Sequence, residues 1–365
     1  MFEITSEDGN ARVGKLKTVH GTIKTPFFMP VATKAALKHV SQHELEQIGA
    51  EAIIANAFIL YLKPGLEVIE KFHGIHNFMK WNKVIFTDSG GFQMLREDFL
   101  IKATDEGIHF KSPFDGTKHL ITPEKAIEIE NRINSDVAMT LDELPHYGND
   151  YEANVKSVKR THEWAVRCKK AHNNDKQLLF GIAQGSVFRD LREKSMKFIN
   201  DLDFDGIALG GLCIGESKKE MYEMIDFSIK FASEKKPRYL MGVGSPADVI
   251  NAIAHGVDVF DSAFPTRNAR HNCLFTQKGN IDVAKKIYEK DESPIDEECD
   301  CYVCKHFSKA YMGHLIRVGE PLGLRYASIH NLHFVQKTVE KARKYIESNE
   351  FEELRKSFAA SKENL

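Results

Sequence analysis

Eight short apolar runs punctuate the chain, and the stretches between them carry apolar residues at helical spacing. The runs cover 26–31, 52–60, 83–88, 136–143, 178–185, 206–212, 238–244 and 257–264. Continuous apolar runs of this length suit strands buried on both faces, since a half-exposed strand would alternate. Between them, Ser41 followed by Glu44 has the spacing of a capping box. Thr122-Pro123 and Ser245-Pro246 each place a capping residue before a proline at the first helical position. Segments 151–174, 187–201 and 217–234 read as helices.

Strands that alternate with helices predict an α/β fold, and eight of them predict a (β/α)8 TIM barrel, with an open doubly wound sheet as the alternative. Segments 89–121 and 265–310 are long and polar, and read as insertions. The expectation is one catalytic barrel domain over residues 1–365, with a small metal-binding subdomain embedded in it at about 270–345.

Polar residues cluster where the runs end. Run three closes at Asp88 before Ser89-Gly90-Gly91, run four at Asp142-Glu143, and run five at Gln184-Gly185. Run six ends at Gly210-Gly211 and run seven at Gly242 and Gly244. Run eight holds Asp261, ahead of Pro265-Thr266-Arg267. In a barrel these ends form one mouth, so three carboxylates, an amide and bare glycine backbone would share a cup. A single Asp at a strand end serves more often as a helix cap than as a catalyst; convergence of six ends is what points to chemistry. Paired carboxylates suit glycosidic bonds, one attacking the anomeric carbon and the other moving a proton. A third can accept from donors on a base edge. Neither a phosphate-binding loop nor a G-x-G-x-x-G helix start is present, which argues against nucleoside-triphosphate and dinucleotide chemistry.

Composition narrows this further. With 50 basic and 52 acidic residues the net charge is −2, so any nucleic-acid contact must rest on local positive charge. No apolar run is long enough to span a membrane and no leader opens the chain, so a cytoplasmic protein is expected. In that compartment cysteines stay reduced or bind metal. Three of the 6 form Cys299-Asp300-Cys301-Tyr302-Val303-Cys304, a C-x-C-x-x-C that can wrap one tetrahedral ion. His306, His314, His330 and His333 are candidates for the fourth position, with His306 too close in sequence to close a compact site. A closed site of this kind would hold structural Zn2+, one per chain.

Together these residues resemble the bacterial tRNA-guanine transglycosylase family, from about Gly14 to about Phe351. The resemblance is carried by His20-Gly21 through Val31, by Thr87-Asp88-Ser89-Gly90-Gly91-Phe92-Gln93, by Asp142-Glu143, Gln184-Gly185 and Gly210-Gly211-Leu212, by Met241-Gly242-Val243-Gly244, and by Asp261 with Pro265-Thr266-Arg267. The cysteine cluster with His330-Asn331-Leu332-His333-Phe334 is similar to the family's zinc site. The resemblance implies His330 as fourth ligand, Asp261 as nucleophile toward the ribose, and Asp88 as general acid/base. It implies Asp142, Gln184, Gly211 and Leu212 as groups that read a base edge, and Phe92 with Met241 as the pair that sandwiches the ring. Arg267 and Arg270 would contact tRNA, with Lys278, Lys285 and Lys286 as further candidates that read more simply as a solvated face. The implied reaction replaces the wobble guanine of G-U-N anticodons with a 7-deazaguanine base through a covalent Asp261–ribose intermediate, in a homodimer. The implied incoming base is 7-aminomethyl-7-deazaguanine, with queuine as the other option.

The chain departs from the family pattern at Leu144, Ser186, Cys213, Ile214, Ser245 and Ser262. None removes a catalytic carboxylate, but Leu144 and Ile214 bear on the wall that would meet the 7-substituent. The competing expectations are a non-catalytic RNA-binding partner subunit and a paralogue that modifies DNA.

Overall fold

A computed structural model describes residues 2–90, 99–145, 148 and 150–360. Each of the eight apolar runs contains a strand. They are β4 (Phe27–Pro30), β5 (Ala52–Asn56), β6 (Val84–Asp88), β10 (Val137–Met139), β11 (Leu178–Ala183), β12 (Gly206–Leu209), β13 (Arg238–Leu240) and β14 (Val259–Ser262). All pair in parallel, in the order β4-β14-β13-β12-β11-β10-β6-β5. The two ends of that sheet meet through a parallel bridge between Val31 and Ile54, where the Ala32 N–H donates to the Ile54 carbonyl at 2.7 Å. The fold is therefore the expected barrel.

The strand period of two sorts each run into two cores. Phe27, Met29, Ile54, Val84, Phe86, Phe180, Ile182, Ala208, Tyr239 and Val259 fill the interior. Their neighbours Phe28, Ile53, Ile85, Leu179, Ile207, Leu240 and Phe260 face outward and pack under the helices. Burial on both faces explains why the runs read as continuously apolar.

Two runs overreach. Residues 57–60 of the second run belong to the helix Ala57–Leu62, whose first turn is capped by the Asn56 side chain. The fourth run yields a strand of only three residues, and Thr140 to Asp142 continue as irregular chain. The capping box at Ser41 and the cap at Thr122 form as expected. Ser245 caps without a side-chain hydrogen bond, leaving Pro246 to start its helix.

The elements outside the barrel had no clear pattern. An antiparallel ribbon of β1 (Phe2–Asp8), β2 (Ala11–Thr18) and β3 (Gly21–Thr25) precedes it. The 89–121 insertion builds β7 (Leu100–Ala103), β8 (Ile108–Lys111) and β9 (Lys118–Ile121), and the 265–310 segment includes the two-residue pair β15 (Cys273–Leu274) and β16 (Ile281–Asp282). At the barrel floor, His20 and His76 stack at 3.5 Å and both bond the Asp136 carboxylate, at 3.0 and 2.9 Å. Through these bonds and that of the His20 N–H to the same carboxylate, Asp136 ties the ribbon to the barrel. Among the described residues, no helix is long and apolar enough to cross a membrane.

Candidate active site and metal centre

The interior rows run past the apolar core into polar residues at the C-terminal mouth. Val84-Phe86 continues to Asp88, Ala52-Ile54 to Asn56, Phe180-Ile182 to Gln184, Tyr239 to Met241, and Val259 to Asp261. Strand parity alone therefore aims these side chains into one cup.

Asp261 is held from two sides. The Tyr239 hydroxyl donates to its Oδ1 at 2.6 Å and the Gly242 N–H donates to the same oxygen at 2.9 Å. Both bonds favour the carboxylate, yet burial outweighs them and raises its pKa above the ordinary value. Ser262, next in the strand, donates to the Gly242 carbonyl at 3.1 Å, so Gly242 is gripped on both sides. Asp88 accepts from the Asn56 amide at 2.6 Å and from the Gly90 N–H at 3.1 Å. Gly90 has φ +78, and a Cβ there would lie 2.4 Å from Phe58, so this turn needs glycine. Burial raises the pKa of Tyr239, and the negative charges of Asp261 and Asp88 add to the rise.

The other half of the cup is a buried pair. The Gln184 amide donates to Asp142 Oδ2 at 2.6 Å, and its Oε1 has no hydrogen-bond partner among the described residues. Burial pushes the Asp142 carboxyl up to about 6, with the Glu143 charge adding to the rise and the Gln184 bond opposing it. The amide of Gln184 lies flat against Gly210 and Gly211: a Cβ on Gly211 would come within 2.3 Å of Oε1. Leu144, one of the departures, approaches the same point at 3.3 Å. Leu212 is buried, and Met241 is half-buried beside Gly242. Ile214 lies in the loop whose Cys213 and Ile214 N–H groups are capped by Glu216. Phe92 lies outside the described residues.

Arg267 and Arg270 follow Asp261 on the helix Phe264–Arg270, and burial, with repulsion from Arg267, lowers the pKa of Arg270. Among the described residues neither arginine is in a salt bridge. Lys278, Lys285 and Lys286 are solvent-exposed.

The predicted cysteines come together with one histidine in a group that could hold a metal ion. His330 Nδ1 lies 3.8, 3.5 and 3.3 Å from the sulfurs of Cys299, Cys301 and Cys304. A tetrahedral ion with ordinary metal–sulfur and metal–nitrogen bonds sets such separations near about 3.6 Å, so these four residues fit one. The opposite ring nitrogen, Nε2, is 2.7 Å from the Phe275 carbonyl, which fixes the tautomer that leaves Nδ1 free to ligate. Of the other candidates, His333 pairs with Asp300 at 2.7 Å, His306 packs on Tyr302, and His314 is exposed.

Sequence reasoning passed over four residues. Asn56 and Tyr239 orient Asp88 and Asp261, and both sit on interior rows whose parity could have revealed them. Asn331 donates to the carbonyls of Pro265 at 3.1 Å and Cys273 at 2.9 Å and accepts from the Phe275 N–H, tying the metal-bearing helix to the segment after Asp261. Arg192 is the fourth; it bonds the backbone carbonyls of Ser186, Ala183, Gly210 and Gly211, which no residue type marks in the sequence.

The comparisons agree with this geometry. Residues 7–364 match the family described as queuine tRNA-ribosyltransferase. A queuine tRNA-ribosyltransferase of Halothermothrix orenii is 48% identical over 348 residues, covering 95% of this chain and 93% of its own length. One from Fusobacterium nucleatum is 46% identical over 360 residues, covering 98% and 96%. One from Caldanaerobacter subterraneus is 47% identical over 360 residues, covering 98% and 96%.

Proposed function

We propose, for a chain that belongs to the queuine tRNA-ribosyltransferase family, that it exchanges the wobble guanine of G-U-N anticodons in tRNA for 7-aminomethyl-7-deazaguanine. The observation that carries this reading is the pair of interior-row carboxylates at the mouth, Asp261 held by Tyr239 and Gly242 and Asp88 held by Asn56 and Gly90. Asp261 Oδ1 takes both hydrogen bonds, which leaves Oδ2 to attack the ribose anomeric carbon. The C1′–N9 bond breaks, its electron pair leaves with guanine, whose N9 takes a proton from Asp88, and a ribosyl ester forms on Asp261. The incoming base loses its N9 proton to Asp88 and attacks the same carbon, expelling Asp261. Asn56 keeps Asp88 aimed at that proton.

In this reading the Asp142 carboxylate accepts from the N1 and N2 donors of the base, and Gln184 with the Gly211 and Leu212 backbone completes the edge. Met241 and Phe92 stack on the ring, and Arg267 and Arg270 bind tRNA phosphate. Asp142 must be ionised to accept both donors. Base affinity should therefore be flat above pH 7 and fall up to about tenfold per unit as pH drops below about 6. Binding of the labelled base measured from pH 5 to 8 checks this; an Asp142→Asn variant should bind weakly with no such limb.

Zn2+ would sit on Cys299, Cys301, Cys304 and His330, within an embedded subdomain of about 270–345, with no open position for chemistry. Next to it, Tyr302, Phe307, Tyr311 and Tyr326 form a chain of ring contacts, with Tyr302 and Tyr311 exposed. An aromatic surface of this kind supports the homodimer as the working state, in the cytoplasm. The choice of base is tested by offering unmodified tRNA each candidate. Incorporation of the aminomethyl base is the expected result, in keeping with the tight Leu144 wall beside Gly211. Exclusive incorporation of queuine would overturn it.

A further inference from the structure

Arg192, on the helix Arg189–Asp201, is fully buried, and among the described residues it makes its hydrogen bonds only to backbone carbonyls. Its Nε donates to Ser186 at 2.7 Å, Nη1 to Gly210 at 2.7 Å and Nη2 to Gly211 at 3.0 Å. Nη1 also reaches the Ala183 carbonyl at 3.5 Å. Among the described residues it has no salt bridge, and burial lowers its pKa to about 9, which still leaves it charged at neutral pH. A buried cation without a bonded carboxylate is costly, and an apolar residue of similar size would be cheaper at a site that needed only filling.

The carbonyls it holds belong to the two loops that carry Gln184 and Gly211. Peptide units are planar, and the non-prolyl ones here are trans. A Gly210 carbonyl turned toward the guanidinium turns the Gly211 N–H the opposite way, away from the outer helix and toward the mouth. The Gly211 carbonyl does the same for the Leu212 N–H. A cation on the carbonyl side also polarises the peptide, which makes each N–H a stronger donor. Ser186, held at φ 48 in the left-handed region, is clamped by the same guanidinium.

We propose that Arg192 is a positioning residue for base recognition: it locks the ends of β11 and β12 together and aims the Gly211 and Leu212 N–H groups at the acceptor atoms of the purine-like base. The inference rests on the proposed base exchange. Arg192 touches neither tRNA nor the anomeric carbon, so its loss should fall on the base and not on the RNA.

The test is steady-state exchange of labelled guanine into tRNA by wild type, Arg192→Met and Arg192→Lys, with metal content and thermal unfolding of each variant recorded. The expected result is a KM for the base raised on the order of 10- to 100-fold in Arg192→Met, the cost of a misplaced contact group. The KM for tRNA should stay within about twofold, and Arg192→Lys, which keeps the charge but not the fork, should fall between. Folded variants with an unchanged base KM, or with both KM values raised alike, would overturn the inference. If Arg192→Met fails to fold, Arg192→Lys alone decides by the same split. If wild type exchanges no guanine, the base-exchange reading fails instead. Calorimetric titration of wild type and Arg192→Lys with 7-aminomethyl-7-deazaguanine then decides: weaker binding by the variant supports the inference, and equal binding overturns it.

Discussion

Replacing Asp261 by Asn should abolish guanine exchange, by on the order of 10⁴-fold or more, while leaving the protein folded. The loss follows from chemistry: an amide cannot form the ribosyl ester, and removing a nucleophile disables the steps that depend on it together. The intact fold follows from the contacts. Asn can still accept from the Tyr239 hydroxyl and the Gly242 N–H. Because burial raises the Asp261 pKa above its ordinary value, the ionised form weakens the fold at neutral pH. The neutral Asn should melt at the same temperature as wild type or higher. Labelled-guanine incorporation and thermal unfolding on the same preparations check both halves. Retained exchange would remove Asp261 from the nucleophile's role.

Cys304→Ser should release the metal and lower the melting temperature by on the order of 10 °C, since a closed site of this kind contributes folding free energy directly. The consequence reaches the cup. His330 meets the Phe275 carbonyl through Nε2, and Asn331 beside it bonds the carbonyls of Pro265 and Cys273. These contacts fix the segment after Asp261 that bears Arg267 and Arg270. With the ion gone, tRNA binding should weaken before base binding does. Elemental analysis, melting curves and separate KM values for tRNA and base test this. A variant that keeps a full complement of metal, or melts unchanged without it, would show that the four residues do not form a structural centre.

Much of this architecture was legible in the chain because both faces of a barrel strand are buried, which writes each strand as an unbroken apolar run. The ends of those runs were legible for the same reason: the first polar residue at interior parity, as at Asp88 and Gln184, lands in the mouth. The second run misled because helix Ala57–Leu62 is itself buried and apolar, so composition did not change at Asn56, where the strand stops. Strands β1, β3 and β7–β9 mix exposed with buried or half-buried positions, so they write no unbroken apolar run. Fourth-ligand selection was beyond local sequence, since His330 joins the cysteines across about one helix and a loop, and spacing left four histidines in play. Arg192 was illegible because an arginine on an amphipathic helix reads as solvent-facing. Only the folded chain shows it beneath the Gly210 and Gly211 carbonyls.

The central claim is a covalent bond between Asp261 and tRNA, and it is tested most directly by trapping. Wild-type protein and the Asp261→Asn variant are mixed with unmodified tRNA and a 7-deazaguanine inhibitor, denatured, and resolved by size. The account predicts a protein–RNA band in wild type that Asp261→Asn lacks, with the ribosyl ester mapping to Asp261 by mass spectrometry. Intact, metal-loaded wild-type protein that exchanges guanine without forming such a band, or an equal band in the variant, would contradict it.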